Sequence, residues 1–439
     1  MKSKVLFWIT SLVLLSVLVT ACGGGQVATT QAPAVPAATE APAATEAPAK
    51  TEAPPPTEAP VATEAPTVPP PPVKVGASLP LTGDFSEPGT AAKKGYELWV
   101  DVINSSGGLL GRQVEFVVYD NASNPDTAVA DYERLITQDK VDLVVGPFSS
   151  RLVIPTSEVA AKYGYAFPEP AGGAPHVFDR GLTNLFFCQP APSADQAIPF
   201  ASFILSLPED QRPKTFAVIT NDDPFSVSVV EAAEKLLTDG GLTLVLKETY
   251  PPDTKDFSSL AAKVADKDPD LLLGGTQFED SVGQIKAYQQ AGYQPRGAMF
   301  TTGPGLPKEF SEALGTATEG VFAPISWFEA STTETNPEFV AAYHAKYGDE
   351  PIAEDSANAF TVGQVLQQAV GTTQSLENAK LIDEMHKATF TTVVGPLSFD
   401  ALGQPKGSYM VLQWQSGKIV IVAPDYAQQS APIWPKANW

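Results

Sequence analysis

The feature that most constrains the fold is a regular alternation of strand-like and helix-like stretches that starts at Val73. The strand-like runs are short and apolar, whereas the stretches between them carry apolar residues at the spacing of an amphipathic helix. The first series predicts strands over 73–79, 114–119 and 141–145 and helices over 90–104 and 126–138. Strands separated by helices form parallel sheets, so the chain is predicted to be an α/β protein.

The pattern restarts after Pro190. It predicts helices over 193–206, 224–239, 257–265 and 279–291, strands over 215–219, 242–249 and 271–274, and further strands near Met299 and Val321. Three later helices (336–347, 355–371 and 376–387) and a closing hairpin (409–415 with 418–422) follow. The folded part has about 365 residues, which is too long for one ordinary hydrophobic core. The two series therefore predict two doubly wound lobes.

Residues 141–173 contain the clearest candidate site. A buried strand ends in a Gly-Pro-Phe turn, and Ser149 and Ser150 then occupy the N-cap position of a helix that runs to about Lys162. Free N–H groups at a helix start, beside serine hydroxyls, form a small anion site. A second strand over 164–167 ends in small residues that let backbone N–H groups approach a ligand, namely Ala171, Gly172 and Gly173. The alternative is an ordinary βαβ unit with a capped helix.

The first 22 residues are interpreted as a lipoprotein signal peptide. Two lysines precede an apolar run over 5–19, and the sequence VTAC at 19–22 is typical of a lipobox. Cleavage before Cys22 would leave this cysteine as a lipid-carrying first residue that anchors the chain in a bilayer. An uncleaved membrane anchor is the alternative, but the run is short for a span and three glycines follow it.

Residues 23–72 have the composition of a disordered tether. Alanine, proline, threonine and glutamate dominate, and the block Thr-Glu-Ala-Pro recurs from Thr39 to Pro66. No core can form from such residues, and the proline content favours a semi-rigid, polyproline-like spacer on the order of 100 Å when extended. We therefore expect the folded part to stand clear of the membrane.

Charge and cysteine content limit the partners of the folded part. The chain has a net charge of −22, of which residues 1–72 contribute only −2. A surface this acidic argues against binding nucleic acid and against lying flat on anionic lipid. Apart from Cys22, the chain has only Cys188, so no disulfide is available and Cys188 is expected to be a buried apolar residue.

Enzyme interpretations have little support in the sequence. His176, His344 and His386 are far apart and have no second ligand at metal-binding spacing. There is no G-x-S-x-G elbow, no P-loop and no dinucleotide fingerprint, so neither a metal nor a cofactor is predicted. A surface hydrolase on the same tether stays a weaker alternative, which would require a catalytic dyad in the cleft.

Six motifs in order resemble the leucine/isoleucine/valine-binding proteins, the branched-chain amino acid receptors of ABC importers. They are VGASLPLTG at 75–83, INSSGGLLG at 103–111, YD at 119–120, GPFSS at 146–150, GPLSFD at 395–400 and Gly403. The resemblance implies two Rossmann-like lobes with parallel sheets, joined by three crossover strands, that close over a solute (the type I periplasmic binding protein fold). It also implies an extracytoplasmic location and permease subunits of the membrane as partners.

On this resemblance the folded part divides into discontinuous lobes. Lobe 1 would comprise 73–190 and 328–400, and lobe 2 would comprise 191–327 and 401–425, followed by a C-terminal tail over 426–439. The crossings would fall near 188–193, 324–328 and 400–406.

Carried over residue by residue, the site of this family matches only in part. Ser149 or Ser150 matches the serine that holds the substrate carboxylate, and Ala171 to Gly173 match the Ala-x-Thr segment except that glycine replaces threonine. In the second lobe, Thr276, followed by Gln277, occupies the place of an aromatic residue, and Pro304 occupies the place of the acid that binds the substrate ammonium. Phe85 and Phe225 are aromatic residues that could line the cleft.

Without that acid, a buried ammonium group would lack a carboxylate partner, which is unfavourable by several kcal/mol. The sequence therefore predicts a small acid or an amide without a cationic end as the ligand, unless Asp222, Asp223, Glu279 or Glu329 replaces the missing acid. The predicted function is a solute-binding receptor of an ABC importer. The alternative is a sensory lipoprotein that signals to a membrane kinase or chemoreceptor without transport.

Overall fold

The computed structural model describes residues 70–439, so the predictions for the signal peptide (1–22) and for nearly all of the tether (23–72) lie outside the described residues. Within the described part, strands and helices alternate as the sequence predicts. No helix among residues 70–439 combines the length and the apolar composition needed to cross a bilayer.

Five strands and four helices begin the first lobe: β1 (Val73–Leu79), α1 (Ser86–Ser105), β2 (Val114–Asp120), α2 (Pro125–Thr137), β3 (Leu143–Val144), α3 (Ser150–Lys162), β4 (Phe167–Glu169), α4 (Pro175–Phe178) and β5 (Leu185–Phe187). The strands β2, β1 and β3 pair in this order and are parallel, and β4 and β5 form a second parallel pair. The N–H of Gly146 donates to the carbonyl of Pro168 at 2.9 Å, so β4 continues the sheet beside the end of β3.

The second lobe is built on a larger sheet. Its elements are α5 (Ile198–Ser206), β6 (Thr215–Asn221), α6 (Pro224–Asp239), β7 (Thr243–Tyr250), α7 (Ser258–Lys267), β8 (Leu271–Gly275), α8 (Phe278–Ala291), β9 (Gly297–Phe300), α9 (Pro307–Leu314) and β10 (Val321–Ile325). The strands β7, β6, β8, β9 and β10 are all parallel. Apolar clusters cover both faces of this sheet.

The chain then returns to the first lobe and crosses once more. The returning elements are α10 (Asn336–Tyr347), α11 (Glu354–Thr373), α12 (Asn378–Met385) and the hairpin strands β11 (Phe390–Thr392) and β12 (Gly395–Leu397). The hairpin of β13 (Met410–Gln415) and β14 (Lys418–Ala423) adds to β10 at the edge of the larger sheet, antiparallel. Helix α11 packs on α1, and its Gly363 lies against the ring of the buried Trp99.

Three local differences from the sequence predictions have physical causes. The strand predicted over 164–167 is Phe167–Glu169, because Gly164 adopts a φ of +74° just after α3 and belongs to the end of that helix. The helix predicted over 193–206 starts as a single 3-10 turn, Ser193–Asp195, and its α-helical part begins only at Ile198. The strand β5, the helices α4 and α9 and the pair β11–β12 were not predicted, because each is short. Cys188 is buried, as predicted.

Candidate functional site

A cavity of about 40 Å³ lies where strand ends of the two sheets face each other. Its walls come from the loops after β3, β4 and β9, from the end of β5 and the segment after it, and from the starts of α6 and α11: Phe148, Ser149, Ala171, Phe187, Gln189, Gln196, Phe225, Thr301, Thr302, Glu354, Asp355 and Asn358. The carboxyl ends of parallel strands are where α/β folds bind ligands. A cavity of this size holds roughly three water-sized groups.

Ser149 is one of the polar residues of the first lobe that line this cavity. It occupies the N-cap position of α3, its side chain is only 1% exposed, and its Oγ has no hydrogen-bond partner among the described residues. The first N–H groups of an α-helix also lack intrahelical acceptors and carry partial positive charge. Because no acidic residue lies in the first turn of α3, this corner suits a carboxylate or carbonyl oxygen.

Ser150 has a different role. It is fully buried, its Oγ accepts a hydrogen bond from the N–H of Ala174 at 3.2 Å, and it does not line the cavity. The structure thus distinguishes the roles of Ser149 and Ser150, which the sequence alone left open. Ser149 faces the cavity, whereas Ser150 fixes the loop after β4.

The small residues after β4 are also used structurally. The N–H groups of Ala171 and Gly172 donate to the carboxyl group of Glu169, so the expectation that these N–H groups face a ligand is wrong. A side chain at Gly172 would overlap Val153 and one at Gly173 would overlap the ring of Phe187, so close packing requires glycine at both positions. Among these small residues, only Ala171 lines the cavity. Burial raises the pKa of Glu169 to about 8.

In the second lobe, Thr276 supports the cavity wall without lining it. Its N–H donates to Oγ1 of Thr301 at 2.8 Å, and its own hydroxyl donates to the carbonyl of Thr302 at 3.1 Å. Thr301 and Thr302 therefore stand fixed at the cavity, together with Phe225. Pro304 lies outside, where its carbonyl accepts a hydrogen bond from Nε1 of Trp414 at 3.1 Å.

The other predicted residues lie around a second, smaller cavity between the lobes. Phe85 and Gln277 line it, and Gln277 donates to Asp223 at 3.3 Å. The ring of Phe85 packs edge-on against Phe148, with centroids 5.7 Å apart, and so supports the first cavity indirectly. The structure thus brings together Ser149, Ala171 and Phe225 of the predicted set at the first cavity, and places the rest elsewhere.

The cavity contains acids other than the four that the sequence analysis named. Glu354 and Asp355, the first two residues of α11, line the cavity, together with Asn358 one turn later. The four acids named from the sequence do not line it. Asp223 caps α6 and shares the second cavity with Glu279, Glu329 lies 3.0 Å from Nε2 of His344, and Asp222 is exposed.

Both acids of α11 are held in an environment that disfavours their charge. Burial raises the pKa of Glu354 to about 7, although Ser326 donates to its Oε2 from the N–H at 2.8 Å and from the hydroxyl at 2.6 Å. Burial and the neighbouring Glu354 raise the pKa of Asp355 well above its usual range. A signal was present in the sequence, since Glu354 and Asn358 are one turn apart and so share one face of the predicted helix.

Two α/β lobes with a polar cavity between their strand ends define a solute-binding protein that encloses its ligand. A profile of the family described as "Periplasmic binding protein" matches residues 72–418. The chain belongs to the periplasmic binding proteins of the leucine/isoleucine/valine-binding type. Members of this family are the solute-binding receptors of ABC transporters. These receptors are extracytoplasmic.

Individual relatives agree with this assignment. The Leu/Ile/Val-binding protein homolog 8 of Brucella abortus is 30% identical over 370 residues, covering 81% of this chain and 91% of the relative. The crystal structure of LivJ from Streptococcus pneumoniae in complex with isoleucine has a TM-score of 0.72 at 22% identity, covering 80% of this chain and 100% of that one. A solute-binding protein of R. palustris in complex with benzoate has a TM-score of 0.70 at 22% identity, covering 82% and 99%. At 22% identity, these two structural comparisons show a similarity of fold alone.

Proposed function

We propose that this protein is the receptor of an ABC importer of the branched-chain amino acid type. It captures an amino acid or a related carboxylate- or amide-containing solute in the cavity between the lobes and delivers it to permease subunits. The observation that carries this proposal is the buried hydroxyl of Ser149 at a helix start, which has no hydrogen-bond partner among the described residues, in a residue that lines a cavity formed by both lobes. The protein acts as a receptor and not as an enzyme.

Hinge closure is part of this proposal. The boundaries we adopt are lobe 1 at 73–190 plus 328–400 and lobe 2 at 191–327 plus 401–425, so that three crossings form the hinge. The ion pair of Lys255 with Asp84, at 2.9 Å, joins the lobes, and Glu350 pairs with both Lys94 and Lys308. Exposed pairs of this kind contribute about 0–1 kcal/mol each. Closure therefore depends on a ligand that contacts both lobes and stabilises the closed population.

The test is ligand screening of the purified protein. Amino acids, aliphatic and aromatic acids and amides are added separately, and thermal unfolding and small-angle scattering are measured. A solute at about 100 times its Kd should stabilise the folded state by about 2.7 kcal/mol and should reduce the radius of gyration, because it draws the lobes together.

The control is a set of uncharged sugars of similar size, which have no carboxylate or amide group and should change neither quantity. If no acid, amide or amino acid raises the unfolding temperature, the proposed function is wrong. Stabilisation without compaction would contradict hinge closure alone.

Membrane attachment through Cys22 is proposed from the sequence, since residues 1–69 lie outside the described part. Two or three acyl chains hold a protein firmly to a bilayer, whereas one binds only marginally. Cys22→Ser should therefore shift the protein from the detergent phase to the aqueous phase in a cloud-point partition, and Cys188→Ser, at the buried cysteine, should leave partitioning unchanged. Equal partitioning of Cys22→Ser and the unaltered chain would contradict the lipobox.

Import is preferred to sensing because the family to which the chain belongs supplies transporter components. A sensor that signals to a membrane kinase or chemoreceptor would use the same cleft. Genes for two permeases and two ATPases beside this one would favour import, and an adjacent kinase or chemoreceptor gene would favour sensing.

A further inference from the structure

A larger cavity, of about 470 Å³, lies beside the first cavity and shares none of its lining residues. It opens between α9, the segment that follows β10, the loop before α11 and the turn between β13 and β14. We call it the tryptophan cavity, because Trp327 and Trp414 form part of its walls. The loop after β9 contributes to both cavities, since Thr301 and Thr302 line the first and Gly305 lines the tryptophan cavity. Small-molecule sites typically have volumes of about 300–1,000 Å³, a range that includes this one.

The walls of the tryptophan cavity are apolar, and their polar atoms are already used. Ile325, Trp327, Ile352 and Trp414 line it, and each is 6% exposed or less. Both indole N–H groups donate to acceptors of the protein, at 2.7 and 3.1 Å. The two tryptophans therefore offer only ring carbon to a ligand. Because protein interiors are normally close-packed, an unfilled space of this size forgoes dispersion contacts that an apolar molecule would restore.

The polar groups with free capacity at this cavity are hydrogen-bond donors. Lys418, at the start of β14, lines the cavity, and its Nζ has neither an ion pair nor a hydrogen bond within residues 70–439. The side-chain oxygen of Gln429 accepts a hydrogen bond from the N–H of Ile421 at 2.9 Å, whereas its side-chain NH₂ group has no acceptor among the described residues. An ammonium group and an amide NH₂ group can both donate to a carboxylate.

The other charged residues that line the tryptophan cavity are paired. Nζ of Lys308 lies 2.9 Å from a carboxylate oxygen of Glu350, and Oε1 of Glu329 lies 3.0 Å from Nε2 of His344. Among the described lining residues, the charge without a partner is thus the single positive charge of Lys418. A monoanion complements this charge, whereas a cation or a dianion does not.

We propose that the tryptophan cavity is a second ligand site, which binds an apolar monocarboxylate with its hydrocarbon body against Trp327 and Trp414 and its carboxylate at Lys418. The apolar walls select the body and the charge of Lys418 selects the acid, so an alcohol of the same shape should bind more weakly. The inference goes beyond the proposed function and does not depend on it, because the two cavities have no lining residue in common.

Calorimetry on the purified protein tests the class of ligand. The probe is naphthalene-2-carboxylate, an apolar monocarboxylate. It is compared with naphthalene-2-methanol, which keeps the apolar body without the charge, and with acetate, which keeps the charge without the body. We expect the naphthalene acid to bind about five- to tenfold more tightly than the alcohol, because its carboxylate accepts charge-assisted hydrogen bonds. Acetate should show no heat of binding.

Two variants connect the binding to this cavity. Lys418→Gln should weaken binding of the naphthalene acid about three- to tenfold, and its charge-matched control is Lys406→Gln, at an exposed lysine that lines neither cavity. Ser311→Trp places a large side chain in the cavity and should weaken binding more than tenfold, since Ser311 lies on α9 and lines the cavity. Its control is Glu312→Trp, at the next residue, which is exposed and does not line the cavity.

Ser149→Ala locates the probe. Naphthalene-2-carboxylate in the tryptophan cavity should bind this variant within twofold of the unaltered protein, because Ser149 lines the first cavity and not the tryptophan cavity. If Ser149→Ala weakens binding more than tenfold and Ser311→Trp does not, the probe occupies the first cavity. The inference is then overturned and the proposed function stands.

The inference is also overturned if the naphthalene acid does not bind, if the alcohol binds as tightly, or if Ser311→Trp and Glu312→Trp bind it equally. None of these results contradicts the proposed function, which concerns solutes of the first cavity. If Ser311→Trp fails to fold, the comparison of acid with alcohol and the comparison of Lys418→Gln with Lys406→Gln decide the question.

Discussion

Replacing Gly403 with alanine should lower the free energy of unfolding by about 2–5 kcal/mol. Gly403 adopts a φ of +80°, where a side chain is unfavourable by roughly 1–2 kcal/mol. Its added Cβ would also overlap the backbone carbonyl of Leu185 in β5, and overpacking of this kind typically removes a further 1–3 kcal/mol. The carbonyl of Gly403 accepts a hydrogen bond from the N–H of Phe187 at 3.0 Å, so this turn cannot move away from β5 without losing that bond.

The matched control is Gly417→Ala. Gly417 has a similar φ of +74° in the turn between β13 and β14, but no atom lies within 4 Å of the position of its added Cβ. Unfolding in urea, followed by tryptophan fluorescence, should show a loss of about 1–2 kcal/mol for this variant. Equal losses for the two variants would mean that the backbone at Gly403 relaxes without penalty.

Most of the fold could be predicted because its signals are local. Helix α6 begins at Pro224 and ends at Asp239, as predicted, since proline fits the first helical turn and Asp223 accepts hydrogen bonds from the N–H groups of Phe225 and Ser226. The strand β5 was missed because three apolar residues, Leu185–Phe187, form a strand only through pairing with β4. Local sequence carries no information about such a partner.

Only part of the site was predictable, namely Ser149, Ala171 and Phe225. Ser149 follows a buried strand after a short Gly-Pro-Phe turn, so its place at a sheet edge could be inferred from the sequence. The acids of α11 reach the cavity through packing that links residues about 260 positions apart, since Gly95 of α1 lets the carbonyl of Ser356 approach its backbone closely. In the family motifs the acid lies in the second lobe, and at the matching position this sequence has Pro304. The acids that line the cavity belong instead to a helix of the first lobe.

Replacing Ser149 with alanine should weaken binding of the tightest carboxylate solute of the ligand screen about 10- to 100-fold. The hydroxyl is buried and free to donate to a ligand carboxylate, and a hydrogen bond to a charged group contributes about 1.5–3 kcal/mol. Stability should change little, because Oγ of Ser149 has no partner among the described residues whose bond would be lost. Calorimetry and thermal unfolding of the same sample separate the two effects.

Ser150→Ala is the control, and the opposite pattern is expected. This change removes the acceptor of the Ala174 N–H, and a buried donor left unpaired costs about 1–3 kcal/mol of stability. Affinity should stay within threefold, because Ser150 does not line the cavity. If Ser150→Ala abolished binding at unchanged stability while Ser149→Ala bound normally, the orientation of this turn would be the reverse of the one described. The anion site would then lie on the other side of the N-terminus of α3.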